Sequence, residues 1–284
     1  MIINNMYIIS YFPDAEKIRN KRKNFISRTV EYWNKHDIII NIIAQNYEKS
    51  DFLDGVNYIE SEPILPGSAR NIALDILYQS DEDYTVIVDD DITLFSGDKY
   101  IDSDNVIDIL RDVDIEKMKN VDVFNALNPS QTPFTEYYNK NKSLLDNNLI
   151  FSFKPHLSGG DVFIKNIKKH KNKTIFYDDR KKQDGTLSMG EDVLFGLKCA
   201  RNGFGTYYCR NFIRRDIGWN SSTYCTKEER KKHFKELDKT LEDSGLVNRK
   251  NGRFQWSKIA EEENHQKQII VPKKDSISIS AFME

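Results

Sequence analysis

Tyr84-Thr85-Val86-Ile87-Val88-Asp89-Asp90-Asp91 decides how this 284-residue chain is read. Val86, Ile87 and Val88 make the short apolar run of a buried strand, and three carboxylates close it. A strand covered on both faces reads as continuous hydrophobic sequence, and open α/β sheets bind ligands beyond the carboxyl ends of their strands. Adjacent carboxylates repel one another, and a hard divalent cation relieves that repulsion because Mg2+ and Mn2+ take oxygen ligands. Taken alone, an aspartate triplet reads better as a solvated acidic turn. The flanking sequence has to decide.

Upstream, Met6 to Phe12 is strand-like and stops at Pro13-Asp14, and Ala15 to Lys35 carries Phe25, Ile26, Val30 and Trp33 at roughly helical spacing. Asp37 to Ala44 is a second apolar strand, and after Pro66-Gly67-Ser68 the segment Ala69 to Tyr78 reads as a helix leading into Tyr84. Downstream, Asn120 to Ala126 suggests a strand, and the polar stretch from Asn128 to Asn148 suggests a long loop or short-helix insertion. Glu191 to Arg201 is periodic and ends at Asn202-Gly203 like a capped helix, and Lys227 to Leu241 is a charged helix. Alternating strands and helices predict an α/β fold with a mostly parallel central sheet and helices on both faces. We expect a catalytic domain over residues 1–215 and a helical C-terminal extension and tail over 216–284.

Composition sets the outer bounds. With 39% hydrophobic and 30% charged residues the chain is a folded protein with room for one large core. No apolar run approaches the roughly 18–20 residues that span a bilayer. No basic region precedes an apolar core at the start, so a cytoplasmic protein is expected (host cytoplasm if viral). Cys199, Cys209 and Cys225 are too few and too irregular for a disulfide framework or zinc site. Net charge is −2, but unevenly spread: Asp81–Asp122 holds 14 acidic and 4 basic residues, while Lys165–Lys182 and Arg201–Lys235 each carry a local net of +6. An acidic, metal-holding end beside basic surfaces suits an anionic donor and an anionic acceptor.

Four elements recur in order: the opening strand Ile8-Ile9-Ser10-Tyr11-Phe12-Pro13, then Gly67-Ser68-Ala69-Arg70-Asn71, then the triplet, then Ser158-Gly159-Gly160-Asp161 with Gly190-Glu191-Asp192. This ordered set, over about residues 6–205, resembles the GT-A-fold nucleotide-sugar glycosyltransferases of the inverting kind. The resemblance implies a Rossmann-like domain, a UDP-sugar donor with glucose as default, and Mn2+ or Mg2+ as cofactor. It gives Asp89 and Asp91 the D-x-D role at the metal, with Asp90 the third member of the turn, although alternation on an extended chain points Asp90 away from the other two. It places Ser10, Phe12, Arg70, Asp89, Asp90, Gly159 and Gly160 around the nucleotide-sugar, and Asp161 and Glu191 at the acceptor.

The chemistry has its own reasons for these residues. A metal gripping the diphosphate stabilises the charge that builds as the sugar departs. Arg70 is always charged and bonds two oxygens at once, although a salt bridge to the acidic turn is its alternative role. Gly159 and Gly160 allow backbone amides to approach a sugar closely. Asp192 is the implied general base, taking the acceptor's proton during an inverting attack. Acidic residues in a first helical turn also stabilise the helix itself, the simpler role for Glu191.

For the acceptor, the overall style of the chain, rich in Asn, Lys and Ile, is similar to proteins of large tailed bacteriophages. Their GT-A enzymes glycosylate hydroxymethylcytosine, or a glucose already attached to it, in phage DNA. That likeness implies a DNA partner, with the basic stretches as a phosphate surface. A bacterial transferase building surface polysaccharide, a non-catalytic nucleic-acid-binding protein and a two-metal nuclease are the competing readings.

Overall fold

The computed structural model describes residues 1–96, 101–102, 106–127, 134–157, 160–178, 190–217 and 227–273. The first half comprises β1 (Asn5–Tyr11), α1 (Glu16–Trp33), β2 (Ile39–Gln45), β3 (Asn57–Ser61), α2 (Pro66–Gln79), β4 (Tyr84–Asp89), β5 (Ile92–Ser96), β6 (Ile101–Asp102) and α3 (Val106–Asp112). The chain continues through β7 (Val123–Leu127), α4 (Phe134–Asn147), β8 (Asn148–Phe153), β9 (Asp161–Lys165), α5 (Ile167–Lys171), α6 (Glu191–Arg201) and β10 (Thr206–Asp216). It closes with α7 (Lys227–Asp243), β11 (Arg249–Lys250), β12 (Arg253–Phe254), α8 (Trp256–Glu262) and β13 (Gln268–Pro272).

The main path of the sheet runs β13-β8-β10-β7-β9-β4-β1-β2-β3. β3, β2, β1 and β4 are parallel neighbours, and β7 pairs parallel with β10. Along this path only β8 and β9 run against the common direction. The expected mostly parallel sheet is therefore present, with reversed strands in the half that periodicity left blank.

Alternation along the strands feeds two cores. Ile8, Ile42, Val86 and Val88 face α1 and α3 and pack with Ile26, Val30, Trp33, Ile107 and Leu110. Tyr7, Ile9, Ile43 and Ile87 face the opposite side and pack with Ala73, Leu74 and Leu77 of α2 and Phe195 and Cys199 of α6. Coverage on both faces explains why these strands read as continuous apolar runs. Pro66 opens α2 at the first helical position, where its fixed φ is already helical and its missing N–H costs nothing.

Two expectations change in detail. Most of the 128–148 insertion is helical, as α4, and its first residues up to 133 lie outside the described part. The C-terminal extension is not purely helical: β13 returns to the sheet and pairs antiparallel with β8, from Gln268 opposite Ser152 to Pro272 opposite Asn148. β13 covers an edge that β8 would otherwise expose. The β-prone Ile277 and Ile279 lie outside the described residues.

Candidate active site

The aspartate turn sits where β4 ends, and its middle member fastens it to the body. Asp90 is fully buried and its Oδ2 accepts a 2.8 Å hydrogen bond from Ser10 Oγ on β1. Arg22 of α1 pairs with the same carboxylate, and Thr29 Oγ1 donates to the Asp90 carbonyl at 3.0 Å. Burial pushes the Asp90 carboxyl up to about 6 despite Arg22. Asp90 thus acts as the bolt of the turn that follows β4. Ser10 and Phe12, expected at the nucleotide, are both buried: Ser10 holds Asp90 and receives the Tyr47 hydroxyl at 2.8 Å, and Phe12 stacks on the Tyr47 ring at 4.3 Å. Tyr47 itself is half-buried.

Arg70, in the first turns of α2, joins the two acidic motifs. Its Nη2 donates to Asp89 Oδ1 at 2.8 Å and its Nη1 to Glu191 Oε1 at 2.7 Å, while the guanidinium lies 5.6 Å from the centre of the Tyr177 ring. Burial works against its charge, but Asp89 and Glu191 outweigh burial and raise its pKa above the ordinary arginine value. The salt-bridge role weighed for Arg70 is therefore real, and it doubles as a brace from the acidic turn to Glu191, 121 positions beyond Arg70 itself. Asn71 does not cap the helix start; it clamps the backbone of Tyr177, donating to its carbonyl at 3.0 Å and accepting its N–H at 2.8 Å. Gly160 is needed where it stands: its carbonyl accepts the Asp89 N–H at 2.6 Å, and an added Cβ would lie 2.8 Å from Asp89 Cβ. Gly159 lies outside the described residues.

Asp91 lies beside Asp216, the last residue of β10, and accepts the Ile217 N–H on its carbonyl at 2.8 Å. Burial first, then Asp90, Asp216 and Asp89, push the Asp91 carboxyl up to about 8. The donors gathered here are carboxylate oxygens, which suit Mn2+ or Mg2+ rather than a softer metal. Among the described residues no three His, Cys, Asp or Glu side chains form a ready metal cage. A cation held by Asp89 and Asp91 would supply charge opposing the negative charge on a departing diphosphate.

Glu191 and Asp192 occupy the first turn of α6, and Asp192 Oδ1 accepts the Val193 N–H at 2.7 Å, the helix-stabilising contact open to either acid. Glu191 is engaged by Arg70. Asp161, expected at an acceptor hydroxyl, is instead buried at the start of β9, where its Oδ2 accepts the Ala126 N–H at 2.7 Å and Arg214 Nη1 lies 3.4 Å from Oδ1. Burial raises the Asp161 pKa. Two basic residues that sequence reasoning passed over are drawn in here. Buried Lys154 is lowered to about 8, by burial first and then Arg214, with Asp161 and Asp192 opposing the shift. Nothing in a sequence marks a lysine as buried; lysines are mostly exposed.

The basic stretch beginning at Lys165 is at the opposite rim. β9 runs antiparallel to β4, with Asp161 opposite Val88 and Lys165 opposite Tyr84, so Lys165 lies about 16 Å down the strand from the aspartate turn. Several of its charges are paired: Lys165 and Lys171 with Asp122, and Lys169 and His170 with Asp83. In the second stretch, Arg210 donates to Ser152 Oγ and the Tyr208 hydroxyl, and Arg214 is buried. Trp219 and Cys225 lie outside the described residues, and Cys199 and Cys209 are buried thiols.

The loop after Lys154 carries His156, whose ring stacks on Trp256 at 4.2 Å. Burial, then Lys154, lower the His156 pKa from 6.5 to about 4. Between those values the unfolded chain holds a proton that the folded chain lacks, so stability falls as pH drops from 6.5 toward 4. His156→Phe keeps the stack and removes the titration. Relative to wild type, the variant is expected to lose less stability over that window, by about 3 kcal/mol at most. Parallel urea titrations at pH 4 and pH 7 check it; equal losses in both proteins would overturn the assignment.

No helix among the described residues is long and apolar enough to cross a membrane. No family model matches the sequence, and no curated protein matches it. Similar solved structures include the mannosyltransferase PcManGT from Pyrobaculum calidifontis in complex with GDP-Man and Mn2+, at TM-score 0.49 and 12% identity over 92% of this chain and 69% of that one. GalNAc-T7 with UDP, GalNAc and Mn2+ follows at TM-score 0.46 and 11% identity over 84% of this chain, which spans 48% of that protein's length. The galactosyltransferase LgtC with donor and acceptor sugar analogs gives TM-score 0.35 and 13% identity over 72% of each chain. The three neighbours named are nucleotide-sugar glycosyltransferases, and each likeness is one of architecture.

Proposed function

We propose that this chain moves a sugar, glucose by default, from a UDP-sugar to an acceptor hydroxyl, with Mn2+ or Mg2+ held by Asp89 and Asp91 and with Asp192 as general base. The observation that carries this reading is the Arg70 fork, which unites the acidic turn with the Glu191-Asp192 helix start on one rim of the sheet. Beyond the carboxyl ends of the strands, that rim is where an α/β sheet takes its ligand. In this reading Asp192 removes the acceptor proton as oxygen attacks the anomeric carbon opposite the departing diphosphate, and configuration inverts. Gly160 keeps Asp89 in place, and Arg70 holds Asp89 and Glu191 apart by a fixed span.

The acceptor in this reading is hydroxymethylcytosine or its glucosylated form in phage DNA. The phage-like style of the sequence supports it; Lys165, Lys169 and Lys171, which pair with acidic side chains, do not. Radiolabelled UDP-glucose is offered with glucosylated hydroxymethylcytosine DNA or with a lipid-linked saccharide, with Mn2+ and with EDTA. Label on DNA that disappears with EDTA is expected. Label on lipid alone would overturn the acceptor, and transfer unaffected by EDTA would overturn the metal.

A further inference from the structure

Lys250 and Arg253 face each other directly across the antiparallel pair β11–β12. Like charges opposite one another on a ribbon destabilise it. Both side chains are exposed, and neither has an acidic partner among the described residues. Acids are not scarce nearby: Arg249, one residue earlier, pairs with Glu242 and Asp238. The turn between the two cations is rigid. Asn251 and Gly252 have φ of 51° and 75°, the double left-handed geometry of a two-residue hairpin that only such residues accept readily. An unneutralised cation pair on a stiff ribbon is a standing cost that an anion would remove.

A ring surface lies beside this pair. Lys250, Arg253, Phe254, Gln255 and Trp256 line an open hollow of about 770 Å3. One side of the Trp256 indole is taken by His156, and Arg249 stands 4.9 Å from the Phe254 ring centre. Trp256 also packs against the cluster formed by α6 residues with Leu241, Val247 and Ile259. The hollow is thereby tied to the proposed active site through both His156 and α6.

We propose that this hairpin is the acceptor-docking site for a nucleic-acid strand, its phosphates lying between Lys250 and Arg253 and an unstacked base resting on Trp256; the inference rests on the DNA-acceptor reading above. Cations flanking an aromatic platform are what single-stranded nucleic acid needs. A lipid headgroup fits less well, because no aliphatic side chain lines the hollow and both rings are held half-buried against the body.

The test is fluorescence anisotropy of a labelled single-stranded DNA of about twelve nucleotides, within the usual site size, on the full chain. Donor and metal are omitted, so failure of sugar transfer leaves the readout intact. Lys250→Gln with Arg253→Gln is expected to weaken binding at least tenfold and to flatten the log-affinity against log-salt slope by about 1.4, two phosphate contacts' worth. Its melting temperature should hold or rise, since a repulsive pair is gone. Trp256→Leu should weaken binding on the order of 5- to 100-fold, and if it misfolds the double variant still decides. Absence of binding by wild type, an unchanged affinity and slope in the double variant, preferential binding to phosphatidylserine vesicles, or displacement by an acidic oligosaccharide at lower concentration than DNA would each overturn the proposal.

Discussion

Asp91→Ala is expected to lower divalent-dependent release of UDP from a UDP-sugar by on the order of 10²–10⁴, the loss that follows when a metal anchor worth several kcal/mol is removed. The argument begins with cost. Asp91 is mostly buried beside Asp89, Asp90 and Asp216, and its carboxyl is pushed up to about 8 because burial and those neighbours all oppose ionisation. Removing the Asp91 carboxyl relieves that cost of burial and of its acidic neighbours. The variant should therefore melt at the same temperature as the wild type or higher, while losing turnover. That opposed pair of effects separates metal binding from scaffolding. A variant that melts lower and turns over normally would sink the assignment, as would Mn2+ titrations that leave wild-type and variant spectra identical.

Parts of this arrangement were legible in the sequence and parts were not, for physical reasons. β1, β2 and β4 were readable because they are central strands covered on both faces, so their apolar runs are unbroken. α6 was readable at both ends through its acidic first turn and its Asn-Gly stop. β10 was not: its sequence mixes Tyr, Arg and Asn, because it pairs with β7, β8 and β5 in turn and carries a register shift between Cys209 and Ile213. The sequence marked Asp90 as the odd member of the turn, and the fold buries it. The sequence could not say that Arg22 and Ser10 would meet it there, since those contacts span 68 and 80 positions. Arg70 shows the same limit, because only the folded chain brings Glu191 to it. Asp161 and Ser10 were assigned outward-facing roles that burial removes. The Asn251-Gly252 dipeptide was a readable hairpin signal that could have drawn attention to Lys250 and Arg253.

The acidic rim also carries its own counter-charges in a consistent pattern. Arg22 neutralises Asp90, Arg70 bridges Asp89 and Glu191, and Arg214 meets Asp161. Asp91 and Asp216 face each other at the turn, and Asp192 stands at the helix start within the field of Lys154. In the proposed reading, a carboxylate on a helix start close to the rim is placed to accept a proton.

Asp192→Asn should consequently cut sugar transfer on the order of 10²–10⁴, the range for losing a general base. The substitution is isosteric, and the amide oxygen can still accept the Val193 N–H that Asp192 Oδ1 receives at 2.7 Å. The helix start should survive, and with it the Arg70–Glu191 contact at the preceding residue. Donor binding, measured by calorimetry without acceptor, should stay within about twofold, because the lost interaction belongs to the transition state. Asp192→Glu lengthens the side chain by one methylene and should recover part of the rate, with any recovery confined to kcat. The outcome that defeats this assignment is transfer by Asp192→Asn within a few-fold of wild type. Loss of donor binding together with rate would instead place Asp192 in the nucleotide site and leave the base to be sought elsewhere on the rim.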